Sequence, residues 1–160
     1  VIGGIEQSGK WKMNARFNKD NLIKRIIKIS ERKRDIHIYN KDVVSLIKNY
    51  LPIYEKNSFV YFDPPYFGKG KQLYLNFFTY KDHVRIMKMI NELENCDWVI
   101  TYDDAQEIAD IYSGFILKRF DLSYSAAVKR KASEIIIFKE HRMIPTKKDL
   151  KDKRICINLR

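Results

Sequence analysis

Cysteine, glycine and long apolar runs are all scarce in this chain, and each shortage removes a class of protein. The two cysteines, Cys96 and Cys156, lie far apart and outside any CxxC pair. That excludes a disulfide framework, argues against a zinc site and predicts a reducing, cytoplasmic setting. No stretch reaches the roughly 18–20 apolar residues of a membrane-spanning helix, so no membrane partner is expected. His37 and His141 have no partners at metal-ligand spacing, and no metal is expected. Half of the six glycines fall in residues 1–17, the mark of a loop or short hairpin there. No signal-peptide pattern opens the chain. The first residue is Val, and "VIGGIEQSGKWK" reads as the middle of something longer, so an upstream piece is expected.

Acids are outnumbered as well: 20 Asp and Glu against 31 Lys and Arg give a net charge of +11 and a pI near 9.6. Such a balance points to a polyanion, nucleic acid before membrane. The plainer reading is a solvated basic surface. The hydrophobic fraction of 45% and aromatic fraction of 13% are those of a folded chain, and 160 residues suit one domain.

The pattern along the chain alternates. Residues 1–17 read as a loop or short hairpin. Asn18 is placed to cap a helix to about Ser30, striped by Leu22, Ile23, Ile26, Ile27 and Ile29. "DIHIYN" (35–40) alternates as a strand does, and 41–51 returns to helical spacing. "SFVYF" (58–62) has no polar alternation, which suits a strand covered on both faces. After a long loop, 80–94 reads as a helix, 97–102 as a buried strand and 104–112 as a helix. Strands at 115–122 and 133–139 are joined by the basic loop "SYSAAVKRKA". This order predicts an α/β sheet with a terminal antiparallel pair. Eight Lys and Arg against three acids in the last 22 residues make a basic tail.

The chemistry is concentrated at Asp63-Pro64-Pro65-Tyr66, directly after the strand at 58–62. In an open α/β sheet, ligands sit beyond the carboxyl ends of the strands. Proline fixes φ and has no N–H, so a Pro-Pro corner presents its carbonyls as stiff acceptors. An acid plus such carbonyls accepts hydrogen bonds from an exocyclic amine. Tyr66 can stack on the flat ring that carries the amine, an interaction worth about 1–3 kcal/mol. An adenine taken out of the helix stack is a substrate of that kind. A strand end followed by a Pro-Pro turn explains the tetrad without function.

With its surroundings, the tetrad resembles the Dam-like DNA adenine-N6 methyltransferases of the D12 class. The resemblance is carried by "FVYFDPPYFGKGKQLYLNFFTYKDH", "WVITYDD", "YSAAVKRKASEIIIF" and "GKWKMNARFNKDNLIKRI", which span most of residues 3–139. It implies a Rossmann-like methyltransferase sheet, S-adenosylmethionine as cofactor and double-stranded DNA as partner. It implies that Asp63 and the carbonyl of Pro64 accept from the target N6 amine, that Pro65 completes the corner, and that Tyr66 stacks on the flipped base. Asp63 also lies beside the cofactor's methionine part, and Asp42 resembles the acid near its adenosine. Asp42 is equally well explained as a helix N-terminal acid. Tyr74, Phe77 and Phe78 form either a wall around the base or ordinary loop packing. Asp82 and His83 read as a capping acid and a surface histidine. Lys129, Arg130 and Lys131 take the place of the family's DNA-facing hairpin, and Lys10, Lys12, Arg16, Lys69 and Lys71 are further candidates for phosphate binding.

One family feature is missing. No F-x-G-x-G loop follows a strand here, and "IGGI" is too short. The resemblance therefore implies that the first strands, that loop and most of the target-recognition region precede residue 1. Residues 1–17 would be a remnant of the recognition region, 18–139 the C-terminal portion of the catalytic domain and 140–160 the tail. A complementing upstream fragment or self-association is then expected. A basic DNA-binding fragment without catalysis, or an enzyme acting on RNA, remains an alternative from the residues alone; Asp at the first tetrad position favours adenine in DNA.

Overall fold

The computed structural model describes residues 3–54, 56–68, 77–124 and 130–160. The chain divides into two compact units, Val1–Lys41 and Asp42–Arg160.

The first unit opens on a turn in which Gly3 (φ 86°) and Gly4 (φ 76°) take left-handed backbone. A Cβ at Gly3 would also sit 2.6 Å from the Trp11 carbonyl oxygen, so both sterics and conformation demand glycine there. A 3-10 turn at Met13–Arg16 leads into helix α1 (Lys19–Ser30). As expected, Asn18 caps it: Oδ1 accepts from the Asn21 N–H at 3.0 Å. Its apolar stripe is exposed, with Ile26 at 64% and Ile29 at 60%.

The expected strand at 35–40 does not form. A 3-10 turn occupies Lys33–Asp35, and the backbone is extended at Ile36 without joining any ladder among the described residues. Alternating apolarity is not enough; a strand is stabilised by its pairing and cross-strand contacts.

In the second unit, Asp42 caps helix α2 (Val43–Asn49), its Oδ1 accepting from the N–H groups of Val44 (3.0 Å) and Ser45 (3.2 Å). The helix expected over 41–51 breaks at Tyr50, and a short α3 (Leu51–Tyr54) follows. Pro52 accounts for the break, because it has no N–H to continue the α2 ladder. The sheet then builds from β1 (Phe59–Phe62), helix α4 (Tyr80–Asn91), β2 (Asp97–Asp103), helix α5 (Gln106–Ile111), β3 (Ile116–Tyr124) and β4 (Arg130–Phe138). Strand order is β1-β2-β4-β3: β1 and β2 are parallel, and β4 is antiparallel to both of its neighbours. This is the mixed α/β sheet with a terminal antiparallel pair that the sequence pattern predicts.

The central strand β2 buries five residues in a row, Trp98 to Tyr102. Trp98, Ile100 and Tyr102 join Ile86 and Ile90 of α4, Ile108 of α5 and Ile135 and Ile137 of β4 in the core. Each such side chain contributes about 1.5–3 kcal/mol on burial. Three readings need correction. β1 is not covered on both faces: Phe59 is 63% and Tyr61 56% exposed, while Phe62 is buried, because β1 is an edge strand and the helices pack on its Val60–Phe62 side. The helix expected at 104–112 is shorter, starting after Ala105, which supplies no side-chain cap. The basic segment 123–132 is partly strand, since β3 runs on to Tyr124 and β4 begins at Arg130. The C-terminal residues return to the sheet, where Arg160 and Arg119 exchange two backbone hydrogen bonds of 2.9 Å at the outer side of β3.

Candidate active site

The parallel strands β1 and β2 deliver their carboxyl ends to one edge of the sheet. Asp63 follows the last residue of β1 and is exposed, whereas Pro64, Pro65, Tyr66 and Phe67 are half-buried. Asp63, Pro64 and Pro65 border a cavity of about 240 Å³ whose other walls include Val43, Phe62, Phe78 and Ile86. The arrangement is a single carboxylate at the mouth of an apolar pocket.

The segment after Asp63 is held from below. The Tyr66 hydroxyl donates to Glu134 Oε1 at 2.8 Å, and Glu134 is buried. The Phe67 N–H donates to Asp103 Oδ1 at 2.7 Å and the Gly68 N–H to Asp103 Oδ2 at 2.8 Å. A Cβ on Gly68 would lie 2.9 Å from that second oxygen. The Phe67 ring packs 5.5 Å from His83 and 6.4 Å from Tyr80.

His83 is the centre of an aromatic cluster. It is fully buried, not at the surface as expected: Phe67, Phe78 and Tyr102 surround it, with ring centres 5.4–5.5 Å away. The reason is rotational. Asp82 is the capping acid expected, here in a capping box with Thr79 that starts α4 so that His83 shares a face with the buried Ile86 and Ile90. Its Nδ1 lies 3.1 Å from the Tyr102 hydroxyl, and Nε2 has no hydrogen-bond partner among the described residues. Burial lowers the His83 pKa below its ordinary value and raises that of Tyr102. The ring is therefore neutral at pH 7 and serves as packing.

The chain matches the D12 class N6 adenine-specific DNA methyltransferase family over residues 6–126. It belongs to that family. No curated protein matches it. The methyltransferase family generally uses S-adenosylmethionine, and DNA is its substrate.

In this member of the family the sequence-predicted residues fall into four groups, one of them outside the described residues. Asp63, Pro64, Pro65 and Phe78 meet around one cavity, Tyr66 continues the same corner, and Asp42 directly precedes Val43 of the cavity wall. Phe77 is exposed (43%) beside them in sequence. Lys10, Lys12 and Arg16 belong to the first unit, where the Lys10 ammonium lies 5.6 Å from the Trp11 ring centre and Lys12 donates to the Gln7 carbonyl. Arg130 and Lys131 open β4 opposite Tyr124 and Ser123. Lys69, Lys71, Tyr74 and Lys129 lie outside the described residues. No group of three or more His, Cys, Asp or Glu among the described residues could hold a metal ion. No helix among the described residues is long and apolar enough to cross a membrane.

Sequence reasoning passes over Asp103, Glu134 and the buried position of His83. The signals are weak but present: an acid ending the buried run "WVITYD" and a lone acid heading "IIIF".

Proposed function

We propose that this chain carries the catalytic corner of an adenine-N6 methyltransferase that uses S-adenosylmethionine and acts on a base flipped out of duplex DNA. The observation that carries the proposal is Asp63: it stands with Pro64 and Pro65 at the rim of an apolar cavity in a chain of the D12 class. Asp63 and the Pro64 carbonyl accept the two N6 hydrogens and turn the amine lone pair toward the methyl donor. Pro65 keeps that corner rigid. Tyr66 stacks on the adenine, and Tyr74, Phe77 and Phe78 wall the base. These acceptors stabilise positive charge as it develops on N6, and they need no strong base beforehand. Once the new N–C bond has formed, the cationic N6 releases its proton to water.

The cavity fits part of the cofactor. Its apolar wall with one carboxylate suits the methionine end, whose ammonium pairs with an acid, and Asp42 next to Val43 would approach the adenosine. Bound S-adenosylmethionine supplies the methyl group from a sulfonium centre. Lys10, Lys12, Arg16, Lys69, Lys71, Lys129, Arg130 and Lys131 bind phosphates. Residues 18–139 form the C-terminal portion of a Rossmann-like catalytic domain, 1–17 a part of the target-recognition region and 140–160 a basic tail. The exposed edge of β1 takes a further strand, from an upstream piece or a second copy.

The test is Asp63→Ala in the complete enzyme, assayed by tritium transfer from labelled S-adenosylmethionine to DNA lacking adenine methylation. Losing one preorganised partner costs about 10²–10³ in rate. DNA affinity should remain within about twofold, because Asp63 touches no phosphate. Retention of more than about a tenth of the activity refutes the role.

A further inference from the structure

We infer that Asp103 and Glu134 are positioning residues for methyl transfer, two facing carboxylates that fix the backbone and the aromatic ring of the segment Asp63–Gly68. The inference rests on the reading of that segment as the catalytic corner.

The register of the sheet raises the question. Asp103 of β2 and Glu134 of β4 are direct partners across an antiparallel pair. Like charges in that position are destabilising. Such a pair persists only where donors reach both acids, and Glu134 is almost fully buried, at 7% exposure. Here three donors arrive from three consecutive residues. The N–H groups of Phe67 and Gly68 meet the two oxygens of Asp103 at 2.7 and 2.8 Å, and the Tyr66 hydroxyl meets Glu134 at 2.8 Å. Successive N–H groups that converge form an anion nest. In this protein the nest is filled by Asp103 and not by a phosphate. The next acid along, Asp104, has a cation as partner instead: Arg119 Nε donates to it at 2.9 Å.

The hydrogen bonds define what each acid controls. Asp103 sets the path of the chain immediately after the tetrad, and the 2.9 Å approach of a Cβ at Gly68 explains why glycine stands there. Glu134 holds the Tyr66 hydroxyl and so fixes the position and long axis of the ring. The hydroxyl is thus directed to the buried Glu134 carboxylate. Phe67, packed against His83 and Tyr80, fixes the next side chain. Three anchors on three neighbouring residues leave the Pro64 carbonyl and Asp63 little freedom.

Isosteric changes test this in the full chain. Asp103→Asn replaces one acceptor oxygen by an NH₂ facing a backbone N–H. In a ¹H–¹⁵N spectrum the amide signals of Phe67 and Gly68 should move upfield while the core amides stay in place. In the tritium assay on unmethylated plasmid DNA, kcat should fall about a hundredfold, as misplacement by roughly an ångström does, with KM for DNA within about twofold. Tyr66→Phe and Glu134→Leu should each lower kcat about tenfold, and the double variant should be no slower than the slower single one. Unmoved amides in Asp103→Asn, or additive losses in the Tyr66/Glu134 cycle, overturn the inference. Asp63→Ala separates it from the reading on which it rests. That variant should keep the wild-type Phe67 and Gly68 signals, and if it also keeps its transfer activity, the catalytic reading fails while the clamp stands.

Discussion

His83 should make the fold acid-sensitive, and the size of the effect follows from its surroundings. The ring is fully buried among Phe67, Phe78 and Tyr102, and burial holds its pKa below the ordinary 6.5. Asp82 and Asp103 pull the other way, but less. In the unfolded chain the imidazole takes a proton as pH falls through about 6.5, whereas in the folded chain it stays neutral to lower pH. The unfolded state then binds more protons, so stability is complete above that pH and falls below it. One extra proton limits the slope to about 1.4 kcal/mol per pH unit. With a urea m-value near 2 kcal/mol/M, the midpoint should drop by up to about 0.7 M between pH 6.5 and 5.5. His83→Phe keeps an aromatic ring in the cluster and removes the titration. It also takes a partner from the Tyr102 hydroxyl, at a cost of about 1 kcal/mol. The assay is urea unfolding followed by the fluorescence of the buried Trp98. The acids with lowered pKa, Asp82 among them, lose their contribution only as pH falls below 3.8, outside this window. Equal midpoint losses in wild type and His83→Phe would refute the reasoning.

Three further outcomes are expected. Ile90→Ala empties a fully buried site beneath the sheet and should cost about 2–5 kcal/mol in a denaturant titration. Asp82→Ala removes the oxygen that accepts from the Thr79 N–H (2.8 Å) and hydroxyl (2.6 Å), so the start of α4 should fray, with a stability loss of about 0.5–2 kcal/mol and faster amide exchange at residues 79–83. Neutralising Lys129, Arg130 and Lys131 together should weaken DNA binding without altering sequence preference, and the salt slope should decrease by about 0.9 for each phosphate that the protein no longer neutralises.

The parts of this fold that could be read in the sequence are those governed by local rules. Asn18 and Asp82 announce helix starts, the continuous run "WVITY" announces the central strand, and "IIIF" announces its antiparallel neighbour. The tetrad marks the site because two prolines behind an acid are a local signature. What was not legible depends on partners distant in the chain. Residues 35–40 have a strand's alternation but no ladder among the described residues. His83 reads as a surface residue until the pitch of α4 turns it inward. The roles of Asp103 and Glu134 follow from their pairing across the sheet and from a segment that neither adjoins in sequence, and no local pattern encodes that meeting.

The reversal of chain direction at β4 has a kinetic consequence. Because β4 runs against β1 and β2, its middle residue Glu134 comes level with the end of β2, and it meets Tyr66 across 68 positions of sequence. Closing so large a loop costs entropy that nearby interactions recover only once β4 docks. The β1–β2 crossover with α4 can form early from shorter-range pairing and brings Asp103 to the Phe67 and Gly68 N–H groups, but the Tyr66–Glu134 anchor waits for the last hairpin. Refolding followed by pulsed hydrogen exchange should therefore show the Gly68 amide protected before β4 amides such as Ile137, making the hold on Tyr66 one of the last properties that the chain acquires.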